Sequence, residues 1–197
     1  MWDERYDTDD YVYGTEPNDF LREQAGRLGE PPRRVLCLAD GEGRNGVYLA
    51  RLGHQVLSVD ASAVGLRKAR RLAERQDVRL DTLQADLTEH VFPAAAFDAV
   101  VSIFCHVPAA GRPHLHHQVM RTLVPGGLLI LEAYTPAQAS RDTGGPPTAD
   151  RTPTAAELEA AFAECEILAS REVERPVIEG RGHTGLGAVV QFIARKR

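Results

Sequence analysis

The chain has 197 residues, of which 43% are hydrophobic and 26% charged, and its formal net charge is −5 at pH 7. These values fit a single domain over residues 1–197 and exclude disordered and fibrous proteins. The acidic balance and the lack of a basic block argue against a nucleic-acid partner. The acidic N-terminus is not a signal peptide and no apolar run reaches membrane-spanning length. We therefore expect a cytoplasmic protein without a membrane partner, either a monomer or a homodimer.

Strand-like apolar runs alternate with helix-length patterns along the chain, after an aromatic N-terminal arm over residues 1–16. The predicted helices cover 17–28, 43–52, 63–75 after the N-cap Ser62, 109–123, and 154–165 from a capping box of Thr154 with Glu157. The predicted strands cover 33–39, 55–59, 78–85, 97–104, 128–134, 166–174 and 188–196. The segment 136–153, rich in Pro, Gly and Thr, is too long for a bare connection and is predicted to be a mobile loop.

The order of these elements predicts the fold class. Strand and helix alternate five times, which is typical of an α/β, doubly wound parallel sheet of the Rossmann-like type. The last two strands have no helix between them and must form an antiparallel hairpin. The sequence therefore predicts a seven-stranded, mostly parallel sheet with a C-terminal antiparallel hairpin.

Cysteines and clustered histidines do not indicate a metal site. Cys37, Cys105 and Cys165 are widely spaced and include no C-x-x-C pair, so we expect reduced, mostly buried thiols. The histidines at 114, 116 and 117 share one predicted helix without a nearby carboxylate, and we interpret them as a solvated face.

A glycine motif, G-x-G-x-x-G, is formed by Gly41, Gly43 and Gly46 after the first strand. Such a turn is the fingerprint of NAD-binding folds. However, Asp40 and Glu42 stand where the diphosphate of NAD would lie, and like charges at close range would repel it. S-adenosylmethionine has no phosphate and carries an ammonium and a sulfonium, so these acids favour it. Asp60 ends the second strand and can accept both ribose hydroxyls of either cofactor.

With this loop and fold, the chain resembles class I S-adenosylmethionine-dependent methyltransferases over nearly its whole length. The motifs that carry the resemblance are "VLCLADGEGRN", "SVDAS", "ADL", "VVSIFCH" and "LVPGGLLILEAY". Within that class, "GRN", "DTDDYVYGTEP" and a late histidine resemble the small tellurite-resistance methyltransferases and, more distantly, the thiopurine type. The resemblance implies cofactor contacts from Asp40, Gly41, Glu42, Gly43, Asn45, Asp60, Ala61, Asp86, Leu87 and Phe104. Asp40 or Glu42 would hold the ammonium, and Asp86 the adenine amino group.

The arm carries four aromatic residues, Trp2, Tyr6, Tyr11 and Tyr13. They either pin the arm to the sheet or form a lid over the cofactor, and Tyr11 and Tyr13 are the candidates for cofactor binding or for the lid.

Two histidines are candidate catalytic residues. His106 follows the fourth strand at the central crevice, where a structural histidine is the alternative. His183 and Arg181 lie between the last two strands, at the same sheet edge as the glycine turn. Cys105 is interpreted as a small buried hydrophobe.

The sequence therefore predicts methyl transfer from S-adenosylmethionine to a small molecule, with a thiol or chalcogen nucleophile as the preferred acceptor. A neutral oxygen or nitrogen acceptor would need His106, His183 or Glu132 to take a proton. The alternatives are an NAD-dependent oxidoreductase and a non-catalytic S-adenosylmethionine sensor.

Overall fold

The computed structural model describes residues 2–146 and 148–197; Met1 of the predicted arm and Pro147 of the predicted loop lie outside these ranges. One seven-stranded sheet with strand order β3-β2-β1-β4-β5-β7-β6 forms its centre. The strands are β1 Arg34–Leu38, β2 Gln55–Asp60, β3 Asp81–Gln84, β4 Phe97–Ile103, β5 Leu123–Tyr134, β6 Glu166–Glu179 and β7 His183–Arg195. β7 runs antiparallel to both β5 and β6, and the other neighbouring pairs are parallel. The predicted fold class is confirmed.

Helices pack on both faces of this sheet. They are α1 Trp2–Tyr6, α2 Asp19–Gln24, α3 Arg44–Arg51, α4 Ala63–Arg75, α5 Arg112–Thr122 and α6 Ala155–Ala161. Short 3-10 turns cover Ala25–Leu28, Ala109–Gly111, Pro136–Ser140 and Ala149–Arg151. The predicted N-cap of α4 is confirmed, since the Ser62 side chain accepts from the Gly65 amide. The capping box of α6 is confirmed as well.

The alternation of side-chain direction along the strands explains why each face of the sheet packs against its own layer of helices. In β1, Val35 and Cys37 pack with α2 and α3 on one face, whereas Leu36 and Leu38 pack with α5 and α6 on the other. Successive strand side chains point to opposite faces, so a strand covered on both sides is apolar throughout. The continuous apolar run in the sequence reflects this double coverage.

Three segments differ from the sequence prediction. The arm begins with a helical turn, α1, and the loop 136–153 contains two 3-10 turns. The region 175–187, predicted to be a long loop, is mostly strand: β6 and β7 pair as far as Glu179 and His183, leaving a turn of three residues. Glycines at 185 and 187 hid this pairing, because glycine is rare in strands. Among the described residues, no helix is long and apolar enough to cross a membrane.

Candidate active site

A cleft of about 640 Å³ opens at the carboxyl ends of the parallel strands. This is where ligands bind in doubly wound sheets. The predicted site residues that line it are Tyr13, Asp40, Gly41, Glu42, Asn45, Asp60, Ala61, Asp86, Leu87, Phe104, His106 and His183. The structure thus brings together residues from the arm, from the carboxyl ends of four strands and from the start of β7.

Three predicted site residues lie elsewhere. Tyr11 donates its hydroxyl to the Lys68 carbonyl and packs against α4. Arg181 is exposed and pairs with Asp10 at 3.2 Å. Gly43 is the N-cap of α3 with φ +86°, and a Cβ there would lie 2.8 Å from the Ala69 Cα. Its glycine therefore serves the close packing of α3 on α4, and the predicted cofactor contact of Gly43 has no support in its position.

The backbone amides of the three glycines in the turn are already occupied. Gly41 N donates to Asp60 Oδ2 at 2.9 Å, and Gly43 N donates to the Asp40 carbonyl at 2.9 Å. Gly46 N donates to the Asp40 carboxylate at 3.2 Å. A diphosphate needs such amides as donors. The three glycine amides therefore offer a diphosphate no free donor, and the carboxylates of Asp40, Glu42 and Asp60 that line the cleft there favour a group without phosphate.

Asp40 lies behind the turn as a buried carboxyl. Its Oδ2 accepts from the Ser58 hydroxyl at 2.5 Å, in addition to the Gly46 amide. Burial raises the pKa of Asp40 to about 7, although both hydrogen bonds oppose this rise. Near neutral pH, Asp40 is therefore only partly ionised.

Glu42 is held by the arm and by α4. Its Oε2 accepts from the Val12 amide at 2.8 Å, and its Oε1 pairs with Lys68 Nζ at 2.5 Å. Lys68 also donates to the carbonyls of Tyr6, Thr8 and Asp10. This buried pair thus fixes the arm beside the glycine turn, in agreement with the anchor interpretation, and the lid interpretation stays a prediction.

Asp60 and Asp86 retain capacity for a ligand. Asp60 accepts one backbone amide on each carboxylate oxygen, from Gly41 and Ser62. A carboxylate has about four acceptor positions, so two remain for a diol. Asp86 is exposed and accepts from the Thr88 amide and hydroxyl, which lower its pKa.

His183 is held by a buried carboxylate at the start of β7, where its ring lies beside the arm residue Tyr13. Its Nδ1 lies 3.4 Å from Glu179 Oε2, and this oxygen also accepts from Arg44 Nη2 at 2.6 Å. Burial opposes ionisation of Glu179, but the His183 hydrogen bond and the Arg44 charge lower its pKa to about 2. Burial lowers the pKa of His183 despite Glu179. A neutral His183 that donates from Nδ1 leaves the lone pair of Nε2 for a proton.

Aromatic rings surround His183. The centroids of Tyr13 and Phe104 lie 4.7 and 4.8 Å from that of His183, and that of Tyr134 lies 5.2 Å away. Phe104 has φ +51°, which a bulky residue rarely adopts and which turns the chain at the end of β4. Strained backbone at a strand end in a cleft is typical of functional sites.

For His106, the sequence left a structural role as the alternative to a catalytic one, and its contacts favour the structural role. Its Nε2 accepts from the Tyr134 amide at 3.1 Å, and burial lowers its pKa to about 3. That lone pair cannot also take a proton from a substrate. Glu132 is fully buried, accepts from Asn18, Arg175 and Gln191, and lies outside the residues that line the cleft. Neither residue suits the role of base.

The structure also bears on the sequence interpretations of Cys105 and of the histidines on α5. Burial raises the pKa of Cys105 to about 12, in agreement with a packed thiol. His116 is not part of a solvated face: its ring lies 5.0 Å from that of Phe162, and burial lowers its pKa to about 4. The one-turn spacing of His114 and His117 hid the fact that His116 points to the core side of α5.

Sequence reasoning missed the three arginines that line the cleft, Arg5, Arg44 and Arg151. Arg5 belongs to α1, and no local pattern in the acidic, aromatic arm predicts a helix there. Arg44 lies inside the "GRN" motif, where the sequence analysis assigned roles to the glycines and the neighbouring acids but not to the arginine. Arg151 comes from a loop whose path no local pattern determines.

Comparison with known proteins relates the chain to methyltransferases. A family model for a methyltransferase domain matches residues 35–127. Demethylmenaquinone methyltransferase of Thermus thermophilus is 33% identical over 111 residues, which are 55% of this chain and 50% of that protein. An uncharacterized methyltransferase of Bacillus subtilis, YbaJ, is 31% identical over 111 residues, 56% of this chain and 44% of that protein. The chain spans about half the length of these curated relatives.

Among solved structures, TehB from Haemophilus influenzae superposes with a TM-score of 0.72 at 21% identity, over 89% of this chain and 61% of that chain. At this identity the match concerns the fold alone.

Proposed function

We propose that this chain transfers the methyl group of S-adenosylmethionine to a small-molecule acceptor. Its residues 35–127 match the methyltransferase domain family, and its fold is that of class I S-adenosylmethionine-dependent methyltransferases. The observation that carries the proposal is the shared cleft, which is lined both by the carboxylates around the glycine turn and by His183, which the buried Glu179 holds. When bound, S-adenosylmethionine supplies an activated methyl group. The chain's own contribution is to orient the acceptor, exclude water and take up a proton.

His183 is the base in this proposal. Glu179 fixes Nδ1 as the donor, and Arg44 and Asn18 hold Glu179 in turn. We propose a thiol or another chalcogen nucleophile as the acceptor, since the aromatic rings around His183 suit a polarizable atom. A cytoplasmic location belongs to the same proposal.

The His183→Ala variant is expected to transfer methyl groups about ten- to a thousandfold more slowly and to bind the cofactor with nearly unchanged affinity. The physical reason is that His183 contacts Glu179 and the rings of Tyr13, Phe104 and Tyr134, whereas Asp60 is held by the Gly41 and Ser62 amides. Single-turnover transfer is measured across pH with a thiol, a selenol, an amine and demethylmenaquinone as acceptors. For a thiol or selenol the loss shrinks at high pH, where the acceptor is already ionised, whereas for an amine it persists.

The exposed His117 of α5 provides the matched control, and His117→Ala should keep the wild-type rate. If His183→Ala matches wild type on each accepted substrate, His183 is not the base. If the protein binds S-adenosylmethionine but transfers its methyl group to none of the acceptors, the sensor alternative is favoured instead.

The Asp60→Ala variant is expected to bind S-adenosylmethionine about 2 to 3 kcal/mol more weakly, the scale of charge-assisted hydrogen bonds to a diol. Titration calorimetry measures this change, with the exposed Asp81→Ala on β3 as the control. NAD should give no heat with either variant or with wild type. Unchanged affinity in Asp60→Ala would remove Asp60 from the site.

A further inference from the structure

The loop between β5 and α6 carries a cation into the cleft. Arg151 ends the 3-10 turn Ala149–Arg151, is half-buried and lines the cleft. Its neighbours hold this turn in place. The Asp150 carbonyl accepts from Arg112 of α5, and the Thr152 hydroxyl donates to the carbonyl that begins the turn at 2.6 Å. The Arg151 guanidinium therefore extends into the cleft from a fixed backbone.

Arg151 differs from the other arginines that are withdrawn from solvent. Five arginines of the described residues are buried or half-buried, and four of them pair with a carboxylate. The pairs are Arg44–Glu179, Arg112–Glu157, Arg141–Glu174 and Arg175–Glu132. Arg151 has no such pair within residues 2–146 and 148–197. A cation withdrawn from water is normally paired, so the missing counter-ion is expected from a ligand in the cleft.

The hydrogen bonds of Arg151 leave one edge of its guanidinium for that ligand. Its Nη1 donates to the His106 carbonyl at 3.4 Å, and neither Nε nor Nη2 has a hydrogen-bond partner in the described part of the chain. The Nε and Nη2 donors of a guanidinium form a planar fork that matches the two oxygens of a carboxylate. This edge of Arg151 therefore suits a carboxylate.

Arg151 belongs to the part of the cleft that holds the proposed base. The Phe104 ring lies 4.8 Å from that of His183 and 5.9 Å from that of His106, whose carbonyl accepts from Arg151. Positive charge collects here. At His183 the charges of Arg44 and Arg5 add to burial in lowering its pKa, and at His106 burial is followed by the charges of His183 and Arg151. An anionic acceptor is attracted to this part of the cleft.

We propose that the methyl acceptor is a thiol that also carries a carboxylate, and that Arg151 binds this carboxylate. The proposal rests on the proposed function, because it takes S-adenosylmethionine as the methyl donor and His183 as the base. The acceptor gives its thiol proton to His183 Nε2 and its sulfur forms a bond to the methyl carbon. The electron pair of the broken methyl–sulfonium bond leaves with the donor, which becomes a neutral thioether.

The carboxylate takes no part in these bond changes. Its contact with Arg151 fixes the distance and the orientation of the thiol, and such positioning is a main source of rate in a displacement between two bound groups. A thiol without the carboxylate lacks this contact. Arg151 is therefore a specificity-determining residue, and it acts on the acceptor without touching the reacting atoms.

The test compares thiol acceptors that differ in charge alone. The probes are ω-mercaptocarboxylates of increasing chain length and the amide of each one, and kcat/KM of methyl transfer is measured for every pair. Wild type should prefer the acid of the fitting length by about 10- to 100-fold, the range for a charge-assisted hydrogen bond. Arg151→Gln should remove this preference by lowering kcat/KM for the acid alone. Unchanged transfer to the amide shows that the variant is folded.

Two further variants show what the preference depends on. Arg151→Lys keeps the charge without the planar fork and should retain part of the preference. Arg141→Gln is the matched control, because Arg141 is half-buried in the same loop but pairs with Glu174 and does not line the cleft. It should keep the full preference.

A binding measurement gives a readout that does not depend on turnover. Calorimetry titrates the same acids and amides into protein saturated with S-adenosylhomocysteine, and wild type, but not Arg151→Gln, should bind the fitting acid more tightly. If wild type shows no preference for the acids, or if Arg151→Gln keeps it or weakens both series equally, the inference is wrong. Methyl transfer to the amides would then still support the proposed function. If wild type neither binds nor methylates either series, the proposed thiol acceptor and the inference fail together.

Discussion

Replacing Lys68 by methionine is expected to lower the free energy of unfolding by about 3 to 5 kcal/mol and to release the N-terminal arm. Lys68 and Glu42 are 6% and 3% exposed, and their ion pair is 2.5 Å long. Removing one member of a buried pair leaves the other as an uncompensated charge. The same change deletes three hydrogen bonds to arm carbonyls, at 2.7 to 3.2 Å.

Two measurements separate the global effect from the local one. Urea unfolding gives the free energy, and native-state hydrogen exchange follows the Val12 amide, which donates to Glu42. In Lys68→Met this amide should lose protection even where the sheet keeps its own. The exposed Arg71→Met on the same helix is the matched control and should change neither quantity.

The arm should also affect the cofactor. Tyr6 and Tyr13 line the cleft, so an arm released from Lys68 uncovers it, and cofactor affinity should fall together with the protection of Val12. Full protection of Val12 in Lys68→Met would show that the Glu42 contact alone holds the arm.

The fold was predictable because its patterns are local and repeated. Strands covered on both faces give apolar runs such as "VLCL", and helices are marked by caps at Ser62 and Thr154. The missing helix between the last strands predicted the antiparallel β7. Chain order and handedness then place the strand ends, and so the cleft, at one edge of the sheet.

The site was predictable only in part, because charge and partners depend on tertiary packing. In the sequence, Asp40 and Glu42 are equivalent candidates for holding the ammonium. In the structure, the Asp40 carboxylate accepts a hydrogen bond from Ser58, whereas the Glu42 carboxylate pairs with Lys68, 26 residues further along the chain. Likewise, Glu179 precedes His183 by four residues in the sequence, but its partner Arg44 lies 135 residues away. No local spacing predicts such pairs.

Asp40 is expected to make the protein less stable as pH rises from about 4 to about 7. The pKa of its carboxyl is about 7 in the folded protein against 3.8 when unperturbed, and burial is the main cause. The native state therefore holds this proton over a range in which the unfolded state has released it. The stabilising contribution is fully present below the unfolded pKa and is lost as pH rises through the folded one, about 4 kcal/mol in total.

The Asp40→Asn variant isolates this contribution, since other groups titrate in the same range. Asp60 has a raised pKa and acts in the same direction, whereas the lowered pKa of His183 acts in the opposite one. Urea unfolding of wild type and variant between pH 4.5 and pH 8.5 therefore gives a difference that belongs to Asp40. We expect this difference to favour Asp40→Asn increasingly as pH rises, and to level off above pH 7. Asp98→Asn is the control, because bonds from Arg34 lower the pKa of Asp98 and no such trend should appear.

The result also bears on which acid attracts the cofactor. If the difference in unfolding free energy between variant and wild type rises with pH, Asp40 is largely neutral below pH 7, and Glu42 and Asp60 carry the negative charge of the turn. Asp40→Asn should then weaken S-adenosylmethionine binding at pH 8 more than at pH 6. A flat difference would mean that Asp40 stays ionised in the folded protein. In that case its bonds from Ser58 and Gly46 outweigh burial, and the variant should weaken binding equally at both pH values.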